Sequence, residues 1–234
     1  MKKVALIIGI TLFVSCAELQ QVVNQLPTGT TTLGNEEIGS GLRAALENGI
    51  SKQVSRLTKT DGFFKNDLVK ILLPEELRKV DKTLRDIGLD NLADEGLKVL
   101  NRAAEDAVAE ATPIFVNAVK EITFTDAKAI LLGDDNAATT FLENKTTTEL
   151  YDKFNPVIKS SFEKVGADKI WASIISKYNA IPLTSNVNPD LTDYVTQEAL
   201  KGVFTMIAVE EKEIRTKSSS RTTELLKKVF AIQD

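Results

Sequence analysis

Histidine is absent from this 234-residue chain, and cysteine occurs once, at Cys16. Without histidine the chain has neither a Ser-His-Asp triad nor a histidine-ligated metal site. A single cysteine has no disulfide partner within the chain, and once acylated it offers no thiolate to a substrate or to a metal. Catalysis would have to rely on carboxylates, lysine, tyrosine, hydroxyl groups or an oxygen-bound metal.

Basic residues are slightly fewer than acidic ones. The chain has 29 Lys and Arg against 33 Asp and Glu, which gives a formal net charge of −4. Lys2 and Lys3 are the only charged residues among the first fifteen, so removing that segment takes the net charge from −4 to −6. An acidic balance argues against nucleic acid, and against an anionic membrane face, as an electrostatic partner.

The chain has no apolar run long enough to span a bilayer, which takes ~20 apolar residues. The run from Val4 to Val14 is shorter, and it follows two lysines and precedes a small residue. This order is typical of a secretory signal peptide, which we predict at residues 1–15.

Phe13-Val14-Ser15-Cys16 resembles the bacterial lipobox, whose cysteine is acylated and becomes the new N-terminus. We therefore predict lipid attachment at Cys16 and membrane association through several acyl chains, because one myristoyl chain binds only marginally. The alternative is a secreted protein with a free thiol. Ala17, rather than Asp, follows the cysteine, which in the enteric sorting scheme implies the outer membrane. The predicted location is the cell envelope.

Residues 16–34 are predicted to form the lipidated N-terminus and a flexible tether, because the segment contains Pro27 and a Thr/Gly run and has little to bury. From residue 35 onwards apolar residues recur at helical spacing, and no stretch alternates long enough for a strand. The predicted fold is all-α, a single multi-helix bundle-like domain over residues 35–234. Its predicted helices cover about 35–58, 74–88, 90–122, 127–132, 136–144, 146–165, 170–178, 192–216 and 222–231.

Local signals predict how several of these helices begin, end and face. Asn35 should cap the first, Thr123 and Asp126 should form a capping box, and Asp134 or Asp135 should cap the helix that follows. Pro113 should kink or split the helix over residues 90–122.

On a helical wheel, one polar face carries Asn101, Arg102, Glu105 and Asp106. We expect this face to be solvated, with Arg102 and Asp106 forming an exposed i,i+4 ion pair.

Two segments have oxygen ligands at metal-like spacing. Asn186-x-Asn188-x-Asp190-x-x-Asp193 starts like a calcium loop, but Leu191 and Gln197 stand where such loops have Gly and Glu. Gly133-Asp134-Asp135 lies between two helices, where a C-cap and an N-cap are needed. Capping and loop roles explain both segments more simply, and we predict neither a metal nor a cofactor.

One charged residue breaks the helical pattern around it. Glu211 falls within the apolar stripe of the helix over residues 192–216. Burying an ionised carboxylate without a partner is prohibitive. Arg215 lies one turn on, and Arg221 follows on the next segment. Glu211, Arg215 and Arg221 therefore form the candidate buried-charge or ligand site, and we expect Glu211 to be buried and paired with an arginine in a structural role.

Longer segments carry a family resemblance. They are Leu73-Pro74-Glu75-x-Leu77-x-x-Val80, Asn101-Arg102-Ala103-Ala104-Glu105, Pro113-Ile114-Phe115, Gly133-Asp134-Asp135-x-Ala137-Ala138-Thr139, Asp193-Tyr194-Val195-Thr196 and Arg221-Thr222-Thr223-x-Leu225-Leu226-Lys227. With them the chain resembles the bacterial domain-of-unknown-function family numbered 4197. The resemblance implies an exported helical domain of diderm bacteria, often with a lipoprotein signal. It brings no assigned activity and no site residues.

Two classes of function remain open. We favour a non-enzymatic binding or scaffolding domain whose partner is another envelope protein or an apolar ligand held between helices. The alternative is a carboxylate-dependent hydrolase acting on an envelope polymer, for which the sequence nominates no pair of acids.

Overall fold

A computed structural model describes residues 34–88, 90–165, 167–180 and 191–231. The predicted signal peptide, Cys16 and nearly all of the predicted tether lie outside the described residues. Those residues form nine α-helices, one 3-10 turn at Ser218–Ser220 and no strand, which confirms the all-α prediction. The helices are α1 Asn35–Leu57, α2 Glu75–Asp86, α3 Asp90–Val108, α4 Ala111–Lys120, α5 Phe124–Leu132, α6 Ala137–Val165, α7 Ala167–Asn179, α8 Thr192–Thr216 and α9 Glu224–Phe230. None of the described helices is long and apolar enough to cross a membrane.

Helix α8 organises the packing of the domain. It packs on α1, α3 and α6, and α6 packs in turn on α3 and α4. Fourteen of the 25 residues of α8 are buried, so its apolar stripe is wide enough to face several neighbours at once. The buried apolar side chains of the domain form a single cluster to which the described helices contribute.

Glycines allow the closest approaches within this core. A Cβ at Gly202 of α8 would lie 2.6 Å from the ring of Phe63, which is fully buried. A Cβ at Gly41 of α1 would lie 2.7 Å from Val229 of α9. Any larger residue at either position would displace its neighbour, so these glycines set the distances between α1, α8 and the segments packed on them.

The region around Pro113 is split, as its sequence predicts. Helix α3 ends at Val108, and α4 begins at Ala111. Pro113 lies in the first turn of α4, where its missing N–H has no intrahelical acceptor to lose. The break therefore precedes the proline.

Other predicted boundaries are wrong. Asn35 is the first residue of α1, and Gly34 is its cap. Residues 136–144 and 146–165, predicted as two helices, belong to the single helix α6. Thr146, expected to open the second, donates its hydroxyl to the carbonyl oxygen of Leu142 one turn back (2.7 Å). Pro156 lies inside α6 on its exposed side.

Candidate functional site

Glu211 lies on the buried face of α8, only 7% exposed, and its carboxylate meets the start of α6. Oε1 accepts a hydrogen bond from the backbone N–H of Ala138 (2.9 Å). Oε2 accepts from the N–H of Thr139 (2.8 Å) and from its hydroxyl (2.7 Å). The first N–H groups of a helix lack intrahelical acceptors and favour negative charge nearby. Glu211 therefore caps α6 from another helix.

Arg215, one turn along α8, pairs with Glu211 and reaches a third helix. Its Nε and Nη2 atoms lie 3.0 and 2.7 Å from Glu211 Oε1. Nη2 also donates to the carbonyl oxygen of Ile130 (2.8 Å), and Nη1 to that of Leu131 (3.4 Å). These carbonyls belong to the last turn of α5. The ion pair thus ties the end of α5 to the start of α6.

This arrangement corrects the local prediction for the start of α6. Asp134 or Asp135 is predicted to cap it, but neither side chain accepts a hydrogen bond within the described part of the chain, and Asp134 offers only its carbonyl oxygen to the N–H group of Ala137 (3.0 Å). The side-chain acceptor for the N–H groups of Ala138 and Thr139 is Glu211, more than seventy residues further along the chain. By contrast, the capping box of Thr123 and Asp126 at α5 is present.

Arg221, the third residue of the predicted site, holds the end of α8. It is buried, and it donates from Nε to the carbonyl oxygen of Ile214 and from Nη2 to that of Arg215, each at 3.0 Å. The structure therefore brings all three predicted residues into one buried polar cluster, with Arg221 bonded to the backbone of Arg215.

Glu210, which the sequence analysis did not single out, is buried beside Glu211 and faces α1. Both of its carboxylate oxygens lie 2.8 Å from the Nζ atom of Lys52. Gln53 donates from Nε2 to Oε2 at 2.6 Å, whereas its own Oε1 is buried and has no hydrogen-bond partner among the described residues. Gly49 of α1 lets this side chain approach closely, since a Cβ there would lie 3.1 Å from Glu210 Cγ.

The polar face of α3 that was predicted to be solvated is partly covered, which is the main correction to the prediction: Asn101 and Glu105 are buried, whereas Arg102 is half-buried. Glu105 is 4% exposed, and its carboxylate accepts from the N–H groups of Asp61 (3.3 Å), Phe63 (3.1 Å) and Phe64 (3.4 Å). Arg102 donates to this carboxylate and to Asp61.

Asp106, the expected partner of Arg102, is exposed and accepts instead from the hydroxyl of Ser161 (2.8 Å). Glu105 and Arg102, rather than Asp106, therefore hold the loop that follows α1 on α3.

Asn101 is also buried on this covered side. Its Oδ1 accepts from the N–H of Ile71 (2.8 Å), and its Nδ2 donates to the carbonyl oxygen of Ile71 (2.9 Å). A second bond from Nδ2 reaches the carbonyl oxygen of Leu97 (2.9 Å). The amide of Asn101 thus pairs with both backbone polar groups of Ile71.

The metal-like segments show no metal-binding arrangement where the structure describes them. Residues 186–190 lie outside the described residues. Asp193 accepts from the hydroxyl of Tyr151 (2.6 Å) and from Nε2 of Gln197 (3.2 Å). The hydrogen bond to this carboxylate raises the pKa of Tyr151, so the phenol stays protonated. No group of three or more acidic or cysteine side chains within the described ranges is placed to hold a metal ion.

Three cavities formed by the described residues adjoin this cluster. One, of about 20 Å³, lies between α1 and α8, and its mainly apolar lining includes Glu210, Glu211 and Arg215. A second, of about 260 Å³, opens beside Glu210 and Lys52. The third and largest, of about 470 Å³, is a groove between α6 and α8. It is lined by Thr139, Glu143, Thr147, Tyr151, Gln197, Leu200, Lys201, Phe204, Thr205 and Ala208.

Comparison with known proteins identifies the family. No curated protein and no solved structure matches the chain. The family model described as "Protein of unknown function (DUF4197)" matches residues 32–231, a range that contains every described helix and all the polar clusters above. The resemblance carried by the sequence motifs is confirmed, and the chain belongs to the DUF4197 family.

Proposed function

We propose that this chain is a lipid-anchored protein of the cell envelope, held at the outer membrane through Cys16, whose helical domain binds an amphipathic helix of another envelope protein. The observation that carries the proposal is the groove between α6 and α8. Its floor is apolar, and polar side chains stand along both walls.

The dimensions of the groove suit one short helix. It extends along α6 from Thr139 to Tyr151, a distance of about 18 Å at the rise of an α-helix. A partner helix of about three turns has this length and presents apolar side chains at positions i, i+3 or i+4, and i+7. The floor offers Leu200, Phe204 and Ala208 to those side chains.

The two walls carry opposite charges. Glu143 lies on α6 and Lys201 on α8, and both side chains are exposed at the groove. A partner helix with a basic residue towards α6 and an acidic residue towards α8 would be oriented by them. The hydroxyl groups of Thr147 and Thr205 donate to carbonyl oxygens one turn back on their own helices, so their oxygens are left to accept hydrogen bonds along the rim.

The buried acids support binding over hydrolysis. A glycosidase-type hydrolase needs two carboxyl groups that contact its substrate. Glu105, Glu210 and Glu211 are the buried acids of the described residues, and each is hydrogen-bonded to backbone N–H groups or to side chains of the domain. Glu211 caps a helix, Glu105 anchors a loop, and Glu210 bonds the side chains of Lys52 and Gln53 on α1.

Photocrosslinking in cells tests the groove. Benzoylphenylalanine at Thr147 or Lys201 is expected to trap the same envelope protein, because both positions line the groove. Glu149 provides the matched control, since it is exposed on α6 but does not line the groove. Equal crosslinking from Glu149, a lipid adduct in place of a protein, or turnover of purified envelope glycan by the full chain would each contradict the proposal.

Fractionation tests the anchor. Cys16→Ser removes the only thiol available for acylation, and it is expected to move the protein from the membrane fraction to the soluble fraction. The readout is immunoblotting after a carbonate wash, with the unmodified chain as the control. A Cys16→Ser protein that stays with the membrane would show that something other than the lipid holds it.

A further inference from the structure

The 260 Å³ cavity beside Glu210 is a polar recess separate from the groove. It lies between α1, the end of α8 and the segment that leads into α9. Its lining is Ala45, Asn48, Gly49, Lys52, Glu210, Ile214, Ser219, Ser220, Thr222 and Leu226. We call it the Glu210 cavity. A volume of 260 Å³ is at the small end for ligand sites, which suits a small molecule or one side chain.

One charged group in this cavity is fixed, and its partner is loosely held. Glu210 is buried, and Gln53 holds its Oε2 atom from the interior. Lys52 approaches from the solvent side, with Nζ at 2.8 Å from both carboxylate oxygens, but its side chain is 61% exposed. A long exposed lysine gains little from such a pair. A buried carboxylate, by contrast, is costly to leave without a cation.

These properties describe a cation position that an outside group can take over. The ammonium of Lys52 shows which group fits, because it donates to Oε1 of Glu210 and lies 2.8 Å from both carboxylate oxygens. Replacement by another primary ammonium would keep the carboxylate paired and release only an exposed side chain. We propose that the Glu210 cavity binds a primary alkylammonium group, which replaces Lys52 on Glu210.

The rest of the cavity suits the body of such a ligand. Ala45, Ile214 and Leu226 offer apolar contact to a short carbon chain. The side chains of Asn48, Ser219, Ser220 and Thr222 line the remaining wall, and none of them forms a side-chain hydrogen bond within the described part of the chain. They are free to bond a second amine, a hydroxyl or an amide of the ligand.

Two variants change the affinity in opposite directions. Lys52→Met removes the internal competitor, so it is expected to tighten binding by roughly tenfold or more, since the site is then always open. Glu210→Gln removes the charge that the ammonium needs and is expected to abolish binding. Lys217→Met is the matched control: it removes a comparably exposed lysine, 58% against 61%, from a different glutamate of α8. It should leave the affinity unchanged.

Calorimetric titration of the full chain in detergent provides the measurement. The probes are 1,5-diaminopentane as a free amine and Nα-acetyl-lysine methylamide as an amine carried on a peptide, and whichever binds more tightly identifies the source. Butyltrimethylammonium, which has no N–H donors, should bind more weakly than butylammonium. Thr222→Trp, an exposed change at the cavity wall, is expected to block binding to Lys52→Met even if Glu210→Gln does not fold.

Three outcomes would overturn the proposal. They are an absence of saturable binding to Lys52→Met, equal tightening by Lys217→Met, and unchanged amine binding in Thr222→Trp. Each is independent of whether the groove between α6 and α8 binds a partner helix.

Discussion

Glu211→Ala is expected to lower the free energy of unfolding by about 3–5 kcal/mol, the range for removing one partner of a buried ion pair. The substitution leaves the guanidinium of Arg215 buried without its counter-charge. It also strips the N–H groups of Ala138 and Thr139 of their acceptor at the start of α6. Urea unfolding of the full chain in detergent measures the loss.

Glu213→Ala is the matched control on the same helix. Glu213 pairs with Lys217 at i,i+4, as Glu211 pairs with Arg215, but both side chains are substantially exposed. An exposed pair contributes under ~1 kcal/mol, so this variant should unfold almost as the unmodified chain does. A loss below ~1 kcal/mol for Glu211→Ala as well would show that the pair is solvated in solution.

Glu211→Gln is not expected to restore stability. Oε1 accepts from the N–H group of Ala138 and from Arg215, and Oε2 accepts from the backbone N–H group and the hydroxyl of Thr139. An amide would turn an NH₂ group towards one set of these donors, because glutamine has a single acceptor oxygen. Recovery of most of the stability by glutamine would instead mean that hydrogen bonding without charge suffices.

Glu211 also shows how far local pattern extends. Its place in the apolar stripe of α8 marks it as buried, and Arg215 one turn away supplies a counter-charge, so both features follow from helical spacing. Which helix the carboxylate caps cannot be predicted from that spacing. In the sequence, Asp134 or Asp135 is an equally good acceptor for the first N–H groups of α6. Only the packing of α8 against α6 decides between these near acceptors and the distant Glu211.

The prediction that the polar side of α3 faces solvent fails for a different reason. The helical wheel groups Asn101 and Glu105 correctly on one side of the helix, but it assumes that a polar side faces solvent. Here the loop after α1 covers that side and directs its backbone N–H groups at Glu105 and Asn101. A loop that supplies unpaired N–H groups needs acceptors, so buried polar residues on the facing helix are the consequence. Nothing in the local sequence of α3 signals this cover.

Glu105→Ala is therefore expected to have the second large effect, a loss of about 2–3 kcal/mol in the free energy of unfolding. The buried N–H group of Phe63 and the partly buried N–H groups of Asp61 and Phe64 lose their shared acceptor, and a buried unsatisfied donor costs about 1–3 kcal/mol. The loop also positions Phe63 against Gly202 in the core. Hydrogen exchange should show lost protection at the amides of Phe63 and Phe64.

Asp106→Ala is the control for this loss, because Asp106 is the next residue on α3, is exposed and bonds only the hydroxyl of Ser161 among the described contacts. It is expected to cost under ~1 kcal/mol and to leave the two phenylalanine amides protected. Equal losses from the two variants, or full protection at Phe63 in Glu105→Ala, would show that the loop is held without Glu105.

Acid should break the ion pair that still holds the loop in Glu105→Ala. Arg102 keeps its ion pair with Asp61 in that variant. The hydrogen bond from Lys65 and the charge of Arg102 hold the pKa of Asp61 below its ordinary value of 3.8. A carboxylate whose pKa is lowered by folding stabilises the fold above its unfolded pKa, and that stabilisation is lost as the pH falls through the folded value. The variant should therefore keep its remaining loop contacts at about pH 5 and lose them progressively as the pH falls below 3.8 and through the lowered pKa of Asp61. Exchange at the amide of Lys65, which donates to the Asp61 carbonyl oxygen, follows the loss.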